Sequence, residues 1–273
     1  MTQTPFTCLF IGCGNMGSAI AAGLVATRPE VTLHIVDRHP ERVQSRLPDN
    51  ADAVIVPAIA DLPEADYAFV IIAIKPQYFA QLDLAGLKTG ENTIFVSIMA
   101  GVTTPTLAAQ LGTPRVVRTM PNLPAMVGEG MTIGYAPPAL DWSDRSLIQH
   151  LFEGVGKYLW MDDEGGIDHG TGVAGSGPGY VFAIAQYMVE AAMAQGFDKA
   201  SADLVVRQTL YGTSKMLLDD PRDAADLKRA VTSPNGTTQA GLAVLEMPEA
   251  LPKLMREAVA AAADRSAVLG GLK

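Results

Sequence analysis

The chain has 273 residues and is 48% hydrophobic, so it is long enough to form one large or two modest domains with buried cores. Its 20 basic and 29 acidic residues give a net charge of −9, which does not favour a nucleic-acid or anionic-membrane partner. The two cysteines, Cys8 and Cys13, and the four scattered histidines have neither disulfide-framework nor metal-ligand spacing. With no signal-peptide pattern and no membrane-spanning stretch, the composition predicts a cytoplasmic protein that binds no metal.

Residues 11–24, IGCGNMGSAIAAGL, carry the most informative motif. They follow a short apolar run that is typical of a buried parallel strand. Gly12, Gly14 and Gly17 then have G-x-G-x-x-G spacing. In a dinucleotide site the first glycine allows a tight turn, the second lets a phosphate approach the backbone, and the third lets the helix pack closely on the strand. The N-terminus of the following helix offers free N–H groups to a phosphate. Asp37 ends the next apolar run, where a dinucleotide site is expected to carry an acidic residue. The motif therefore predicts a dinucleotide-binding site.

Strand and helix patterns alternate through the first half of the chain, which predicts a doubly wound sheet with right-handed crossovers. The predicted strands are residues 6–11, 31–36, 53–56, 67–74, 93–98, 116–118 and 131–135. The predicted helices of this half are residues 16–26, 40–47 and 104–111.

Strand patterns stop near residue 165, and only helical patterns follow. The predicted helices of the second half are residues 178–195, 203–218, 224–231, 238–245 and 251–269. The first of these is small or apolar around its whole circumference, as in a helix that is deeply buried or lies between subunits. We predict an α/β fold with a Rossmann-type dinucleotide-binding domain over residues 1–164. An all-α dimerisation and substrate domain over residues 165–273 is expected to form a homodimer.

Ligands of open α/β sheets bind beyond the carboxyl ends of the strands, which places the cofactor at the ends of the predicted strands. Lys75 directly follows eight apolar or aromatic residues. It is either a solvated lysine at a strand end or a cation near the nicotinamide or substrate. The predicted cofactor-binding residues are Gly12, Gly14, Asn15, Met16, Gly17, Asp37, Arg38, Ala73, Lys75, Pro76, Ala100, Gly101 and Asn122.

A second candidate anion site lies where residues 231–238 run into a predicted helix. Ser233 and Asn235 are natural capping residues, and Gly236 permits a close turn. Two interpretations are open here. The turn is a plain helix cap, or its free N–H groups hold a substrate carboxylate with threonine hydroxyls as further donors.

Five motifs in order, GCGNMGSAI, IKPQ, RTMPNLPA, GSGPGYVF and TSPNGTTQAGLAVLE, resemble those of the pyrroline-5-carboxylate reductases over nearly the whole chain. The resemblance implies hydride transfer from NADPH or NADH to 1-pyrroline-5-carboxylate, the last step of proline biosynthesis. It also implies a substrate bound against the partner's helical domain, and dimers that assemble into rings. The candidate substrate-binding residues are Ser176, Val231, Ser233, Asn235, Gly236, Thr237 and Thr238. Thr238, as a contact to the ring nitrogen, and Lys75 are the candidate catalytic residues.

The chain departs from this family pattern at Leu123, Ala174, Gly179 and Asn235. Leu123 and Ala174 lack a hydroxyl and Asn235 adds bulk, so a related cyclic imine is an alternative substrate. A β-hydroxyacid dehydrogenase is a second alternative, which is disfavoured because the helix after Gly179 lacks the lysine that those enzymes use. A non-catalytic nucleotide-binding protein is a third.

The identity of the nicotinamide cofactor depends on three neighbouring residues. Asp37 favours NADH, because an acid accepts from the ribose hydroxyls and repels a 2′-phosphate. Arg38 and Arg42 favour NADPH, because their guanidinium groups can pair with that phosphate. We expect both cofactors to work.

Overall fold

The computed structural model describes residues 5–270. Its eight strands form one sheet in the order β3-β2-β1-β4-β5-β6-β7-β8. The strands are β1 Phe6–Ile11, β2 Val31–Val36, β3 Ala53–Val56, β4 Tyr67–Ile72, β5 Ile94–Ser97, β6 Val116–Met120, β7 Gly130–Tyr135 and β8 Gly156–Trp160. The first six strands in this order form five parallel pairs, which confirms the predicted doubly wound α/β fold.

The far edge of the sheet differs from the prediction. Strand β7 completes the sheet as predicted but runs antiparallel to β6, an orientation that the strand pattern alone does not specify. Strand β8 pairs in parallel with β7 and has no counterpart among the predicted strands. Its half-buried sequence, GKYLW, is too short and too polar to show a clear apolar run.

The helices agree with the prediction to within a few residues, apart from two that it lacks. They are α1 Asn15–Thr27, α2 Pro40–Gln44, α3 Thr104–Leu111, α4 Trp142–Leu151, α5 Gly165–Gly170, α6 Gly177–Ala194, α7 Lys199–Asp219, α8 Ala224–Ala230, α9 Thr237–Leu245 and α10 Leu251–Leu269. The two additions are α4, which begins with a capping box between Asp141 and Asp144, and the short helix α5. Within residues 5–270, no helix is both long enough and apolar enough to cross a membrane.

The sheet has a hydrophobic core on each face, because successive side chains of a strand point to opposite sides. Cys8 and Phe10 of β1 belong to the core beneath α1, whereas Leu9 and Ile11 belong to the core on the other face. Each of these four side chains is almost fully buried. A strand that is buried on both faces needs apolar residues at every position, which explains why the strands were recognised in the sequence as continuous apolar runs.

The chain divides into two compact units. Unit 1 comprises the chain up to Ser176 together with the chain from Ala261 onward, and unit 2 is Gly177–Ala260. Unit 1 contains the sheet, and unit 2 contains α6 to α9 and the first turns of α10. The predicted domain ranges are 1–164 and 165–273. They assign residues 165–176 and 261–273 to the helical domain, whereas both segments belong to unit 1. The predicted ranges divide the chain by function, whereas the two units divide it by contacts. The functional division remains a prediction.

Candidate functional site

A cavity of about 600 Å³ lies in unit 1 at the carboxyl ends of β1, β2 and β4. The parallel register of the three strands places Ile11 beside both Val36 and Ile72, so their ends meet at one edge of the sheet. Of the predicted cofactor-binding residues, the lining contains Gly12, Gly14, Asn15, Asp37, Arg38, Ala73 and Lys75. This is the position at which an open α/β sheet binds its ligand.

The three glycines of the motif have different surroundings. Gly12 has φ +81°, and a Cβ on it would lie 2.7 Å from Ile74 Cγ2, so only glycine suits this turn. A Cβ on Gly17 would lie 3.2 Å from the Cβ of Ala73, which reflects the close packing of α1 on the end of β4. A Cβ on Gly14 would meet nothing within 4 Å, so this backbone is open to a ligand. The open backbone at the start of α1 fits a pyrophosphate group.

The carboxylate of Asp37 is held by the backbone of both neighbouring loops. Its Oδ2 accepts a hydrogen bond from the N–H of Cys13 at 2.8 Å, and its Oδ1 accepts one from the N–H of His39 at 2.9 Å. Asp37 therefore ties the glycine loop to the end of β2. These two bonds also balance part of its negative charge, which weakens its repulsion of a nearby anion.

Cationic side chains surround this side of the cavity. Arg38, Arg42, Arg46 and Lys75 all line it, and none of the ion pairs found within residues 5–270 involves them. The Arg38 guanidinium lies 5.6 Å from the centre of the Tyr78 ring, a cation–π distance. The sequence prediction missed Arg46, Tyr78 and His39 as lining residues. Arg42 and Arg46 are four residues apart in the predicted helix 40–47, and this spacing, which places them on one helix face, would have found Arg46.

Cys13 lies inside the glycine loop but is not a reactive thiol. Its side chain is buried, and burial raises the pKa of the Cys13 thiol to about 11. The Ser18 hydroxyl, 3.5 Å from its sulfur, opposes that increase only in part. The thiolate is the nucleophilic form of cysteine, so this side chain has a packing role.

The other predicted cofactor-binding residues do not line the cavity. These are Met16, Gly17, Pro76, Ala100, Gly101 and Asn122. Gly101 has φ +74°, and a Cβ on it would lie 2.8 Å from the backbone of Leu269, so its loop packs against the end of α10. The side chain of Asn122 bonds to two backbone groups of unit 1. Cofactor contacts from these six residues remain a prediction.

A buried ion cluster lies in unit 1 around Arg118 of β6, whose side chain is 1% exposed. Its Nη2 donates to Asp168 Oδ1 at 2.8 Å, and the Ser266 hydroxyl donates to the same oxygen at 2.6 Å. Glu164 Oε1 lies 3.6 Å from Arg118 Nη1 and accepts from the N–H of Thr104 at 2.7 Å. The cluster joins α5 and the last turns of α10 to the sheet, which explains why both belong to unit 1.

The predicted substrate-binding turn lies in unit 2 and is open to solvent. The prediction that Ser233 and Asn235 cap the following helix is wrong, because the N-cap of α9 is Gly236 and no side chain caps it. Asn235 instead has φ +57°, and its N–H donates to Gln239 Oε1 at 2.6 Å. The left-handed backbone at Asn235 turns the chain into the helix, a conformation that asparagine tolerates. The first N–H groups of α9 are therefore left without a side-chain partner in the described part of the chain.

A Rossmann sheet, an open glycine loop and a cationic rim define a dinucleotide-binding oxidoreductase fold. Residues 164–269 match the family model for pyrroline-5-carboxylate reductase dimerisation, and residues 7–101 match a model described as NADP oxidoreductase, coenzyme F420-dependent. A pyrroline-5-carboxylate reductase of Pseudomonas aeruginosa is 36% identical over 95% of both chains. One of Pisum sativum is 32% identical over 96% of this chain and 95% of its own.

The solved structure of a pyrroline-5-carboxylate reductase from Coxiella burnetii is similar throughout, with a TM-score of 0.85 and 28% identity over 97% of this chain and 99% of that chain. The chain belongs to the pyrroline-5-carboxylate reductase family, as its motifs predicted. This membership decides against the β-hydroxyacid dehydrogenase alternative. The match to the dimerisation model also identifies the helical region as one that forms a homo-oligomer.

Proposed function

We propose that the protein reduces the C=N bond of 1-pyrroline-5-carboxylate to form L-proline, with NADPH or NADH as the reductant. The observation that carries this proposal is the cavity of unit 1, in a chain of this family, with its open Gly14 backbone and with arginines that form no ion pair within residues 5–270. When bound, the reduced nicotinamide supplies the hydride. The chain's own residues supply binding, orientation and charge.

Different residues of the cavity are proposed to bind different groups of the cofactor. The N–H groups at Gly14 and Asn15 would hold the pyrophosphate at the start of α1. Arg38 and Arg42 would pair with a 2′-phosphate, because Asp37 is already engaged by backbone N–H groups. Each Asp37 oxygen accepts one backbone bond and keeps a second lone pair, so a ribose without that phosphate would still find an acceptor there, and both cofactors are expected to serve.

The uncapped start of α9 would hold the substrate carboxylate. The N–H groups of Thr237 and Thr238 begin the helix, whose positive dipole end favours an anion. The Thr238 hydroxyl would donate to the ring nitrogen, and Lys75 is the second candidate for that contact. Val231, Ser233, Asn235, Gly236 and Ser176 complete the proposed substrate site.

The proposed assembly extends the homo-oligomer to dimers that form a ring, with the substrate held against the partner's helical domain. We place the dinucleotide-binding function in residues 1–164 and the dimerisation and substrate functions in residues 165–273. A reducing location, the cytoplasm, suits the two free, buried thiols Cys8 and Cys13.

A related cyclic imine, such as a piperideine carboxylate, is the second candidate substrate. Two observations favour it. Leu123 is 47% exposed where the family pattern has a hydroxyl residue, and Asn235 replaces a glycine in a left-handed turn. Of the two, Asn235 belongs to the proposed substrate site.

The decisive experiment is a direct assay of the purified protein. We expect NADPH oxidation, followed by the nicotinamide absorbance, on addition of pyrroline-5-carboxylate, and slower oxidation with piperideine carboxylate. A faster reaction with the six-membered imine would replace the proposed substrate. Cofactor binding without turnover of either imine would contradict the enzymatic function. Arg38→Ala is expected to weaken NADPH binding more than NADH binding, whereas an equal loss would show that Arg38 does not contact the 2′-phosphate.

A further inference from the structure

Residues Thr171–Gly175 form a π-helical turn between α5 and α6. The N–H of Ser176 donates to the carbonyl of Thr171 at 2.9 Å, the five-residue spacing that defines such a turn. A π-turn interrupts the regular bonding of a helix and is frequent at functional sites. It ends at Ser176, the proposed polar contact to the substrate.

The carbonyl of Ala174 in this turn cannot make an ordinary α-helical hydrogen bond. An α-helical bond from this carbonyl would need the N–H four residues later, and that residue is Pro178, which has no N–H. The Asn122 side chain supplies the missing donor, because its Nδ2 donates to the Ala174 carbonyl at 3.0 Å. This bond joins the loop after β6 to the π-turn within unit 1.

The other half of the same amide is also engaged. Asn122 Oδ1 accepts from the N–H of Met131 in β7 at 2.8 Å, and the side chain is mostly buried. A donor is needed toward Ala174 and an acceptor toward Met131, so of the ordinary side chains of this length only asparagine meets both demands. One bond at each end of this amide fixes its orientation between the π-turn and β7.

We propose that Asn122 is a positioning residue that holds the π-turn, and through it Ser176, in the geometry required for the substrate. This assignment differs from the cofactor contact predicted from the sequence, and it rests on the proposed function of Ser176. Loss of the Nδ2 donor would remove the side-chain partner of the Ala174 carbonyl and release the turn from the loop after β6. We expect this change to impair binding and orientation of the substrate but not binding of the cofactor.

The test is Asn122→Asp, which keeps an acceptor for Met131 but places an oxygen against the Ala174 carbonyl. We expect kcat/KM for pyrroline-5-carboxylate to fall about 5- to 150-fold, the range for a buried group left unpaired. The Kd of NADPH, from fluorescence titration, should change less than about twofold, since the residues that line the cavity are unchanged. Hydrogen exchange of the amides of residues 171–176 should become faster, and this measurement does not depend on the substrate.

Thr119→Val is the matched control. Thr119 lies three residues away on β6, is fully buried, and donates to the Ser97 carbonyl at 2.9 Å. Its loss removes a buried hydrogen bond of similar strength without touching the π-turn. We expect it to lower the melting temperature as Asn122→Asp does, but to leave kcat/KM and the exchange of residues 171–176 near the wild-type values.

Three results would overturn the proposal: unchanged exchange at residues 171–176 in Asn122→Asp, a large rise in the Kd of NADPH, or equal losses of kcat/KM in both variants. If the wild-type protein does not reduce pyrroline-5-carboxylate, the proposed function fails. Faster exchange in Asn122→Asp alone would then still support the positioning role.

Discussion

The two compact units of this chain bury their apolar side chains to very different extents. Unit 1 has a dense core on each face of its sheet. In the described part of unit 2, the buried apolar residues are Ala202 and Val206 alone, and α6 has no buried residue at all. Both units are rich in apolar residues, so the difference lies in what covers them. Unit 1 is covered by its own chain, whereas unit 2 relies on another copy.

One face of α7 shows this dependence directly. Leu204, Tyr211 and Leu218 are spaced seven residues apart and are each at least 66% exposed. Seven residues correspond to about two helical turns, so the three side chains form one apolar stripe. Exposed apolar patches of this kind mark protein–protein interfaces. The stripe lies within the region that matches the dimerisation model, residues 164–269.

The largest expected effect comes from a charge in this stripe. Tyr211→Glu would place a carboxylate in the subunit interface, where an unpaired charge costs several kcal/mol. We expect the mass by light scattering to fall from that of a dimer or larger assembly to that of a monomer, with loss of turnover. Leu147→Glu is the control, because Leu147 is an exposed apolar residue of α4 outside the dimerisation region. A similar fall in mass for both variants would contradict the interface assignment.

The second largest effect is confined to unit 1. Asp168→Ala removes the acid that pairs with Arg118 and leaves a buried positive charge poorly compensated, which costs about 3–5 kcal/mol of unfolding free energy. Both tryptophans, Trp142 and Trp160, lie in unit 1, so their fluorescence in a urea titration reports on this unit. The loss should be independent of protein concentration. A concentration-dependent loss would show that the ion cluster acts through the subunit interface instead.

Ser266→Ala is expected to weaken the same ion cluster to a smaller extent than Asp168→Ala. It removes one neutral donor from Asp168 and keeps the charge pair, so we expect a loss of about 0.5–1.5 kcal/mol. A loss as large as that of Asp168→Ala would mean that the hydroxyl, rather than the arginine, holds α5 and α10 in place.

The third effect concerns chemistry in unit 2. Thr238→Ala removes the proposed donor to the ring nitrogen, whose contact strengthens as charge develops during the reaction. Losing a hydrogen bond to a charged group costs about 1.5–3 kcal/mol, so kcat should fall roughly 10- to 150-fold with little change in KM. The Kd of NADPH and the melting temperature should stay near the wild-type values. An earlier melting transition with normal turnover would make Thr238 a structural residue and leave Lys75 as the candidate.

The sequence predicted the features that depend on neighbours along the chain. The glycine motif and the apolar strands follow from local backbone and burial requirements, and Gly12, with φ +81°, lies in the backbone region that only glycine occupies easily. Features built from distant residues were not predicted. Arg118 and Ser266 are about 150 positions apart, and no local pattern indicates that both reach Asp168.

Local sequence is also insufficient to assign the roles of individual residues in the proposed site. Ser233 and Asn235 have the side chains of capping residues, yet the tertiary course of the turn gives the N-cap to Gly236. Asn122 carries a polar side chain in a loop, which indicates a ligand contact as readily as a structural one. The contacts with Met131 and Ala174 distinguish the two roles, and they exist only in the folded chain.

The smallest expected effect is a dependence of unit 1 on pH. All four histidines lie in unit 1, and of these only His34 is buried, with its Nδ1 2.9 Å from the Tyr67 hydroxyl. Burial lowers the pKa of His34 below its ordinary value of 6.5, and the nearby carboxylate of Asp52 opposes this in part. The folded protein therefore holds this proton less well than the unfolded chain does.

The sign of the effect follows from that difference in proton binding. Stability contributed by neutral His34 is fully present above about pH 6.5 and is lost as the pH falls from there toward the lowered pKa of the folded state. The urea midpoint reported by tryptophan fluorescence should decrease between pH 7.5 and pH 5.5, by less than in the variants above. His34→Asn, which does not titrate, should show a weaker decrease, because the contribution of His34 is removed. An identical pH dependence in both proteins would mean that His34 accepts its proton in the folded state as easily as in the unfolded chain.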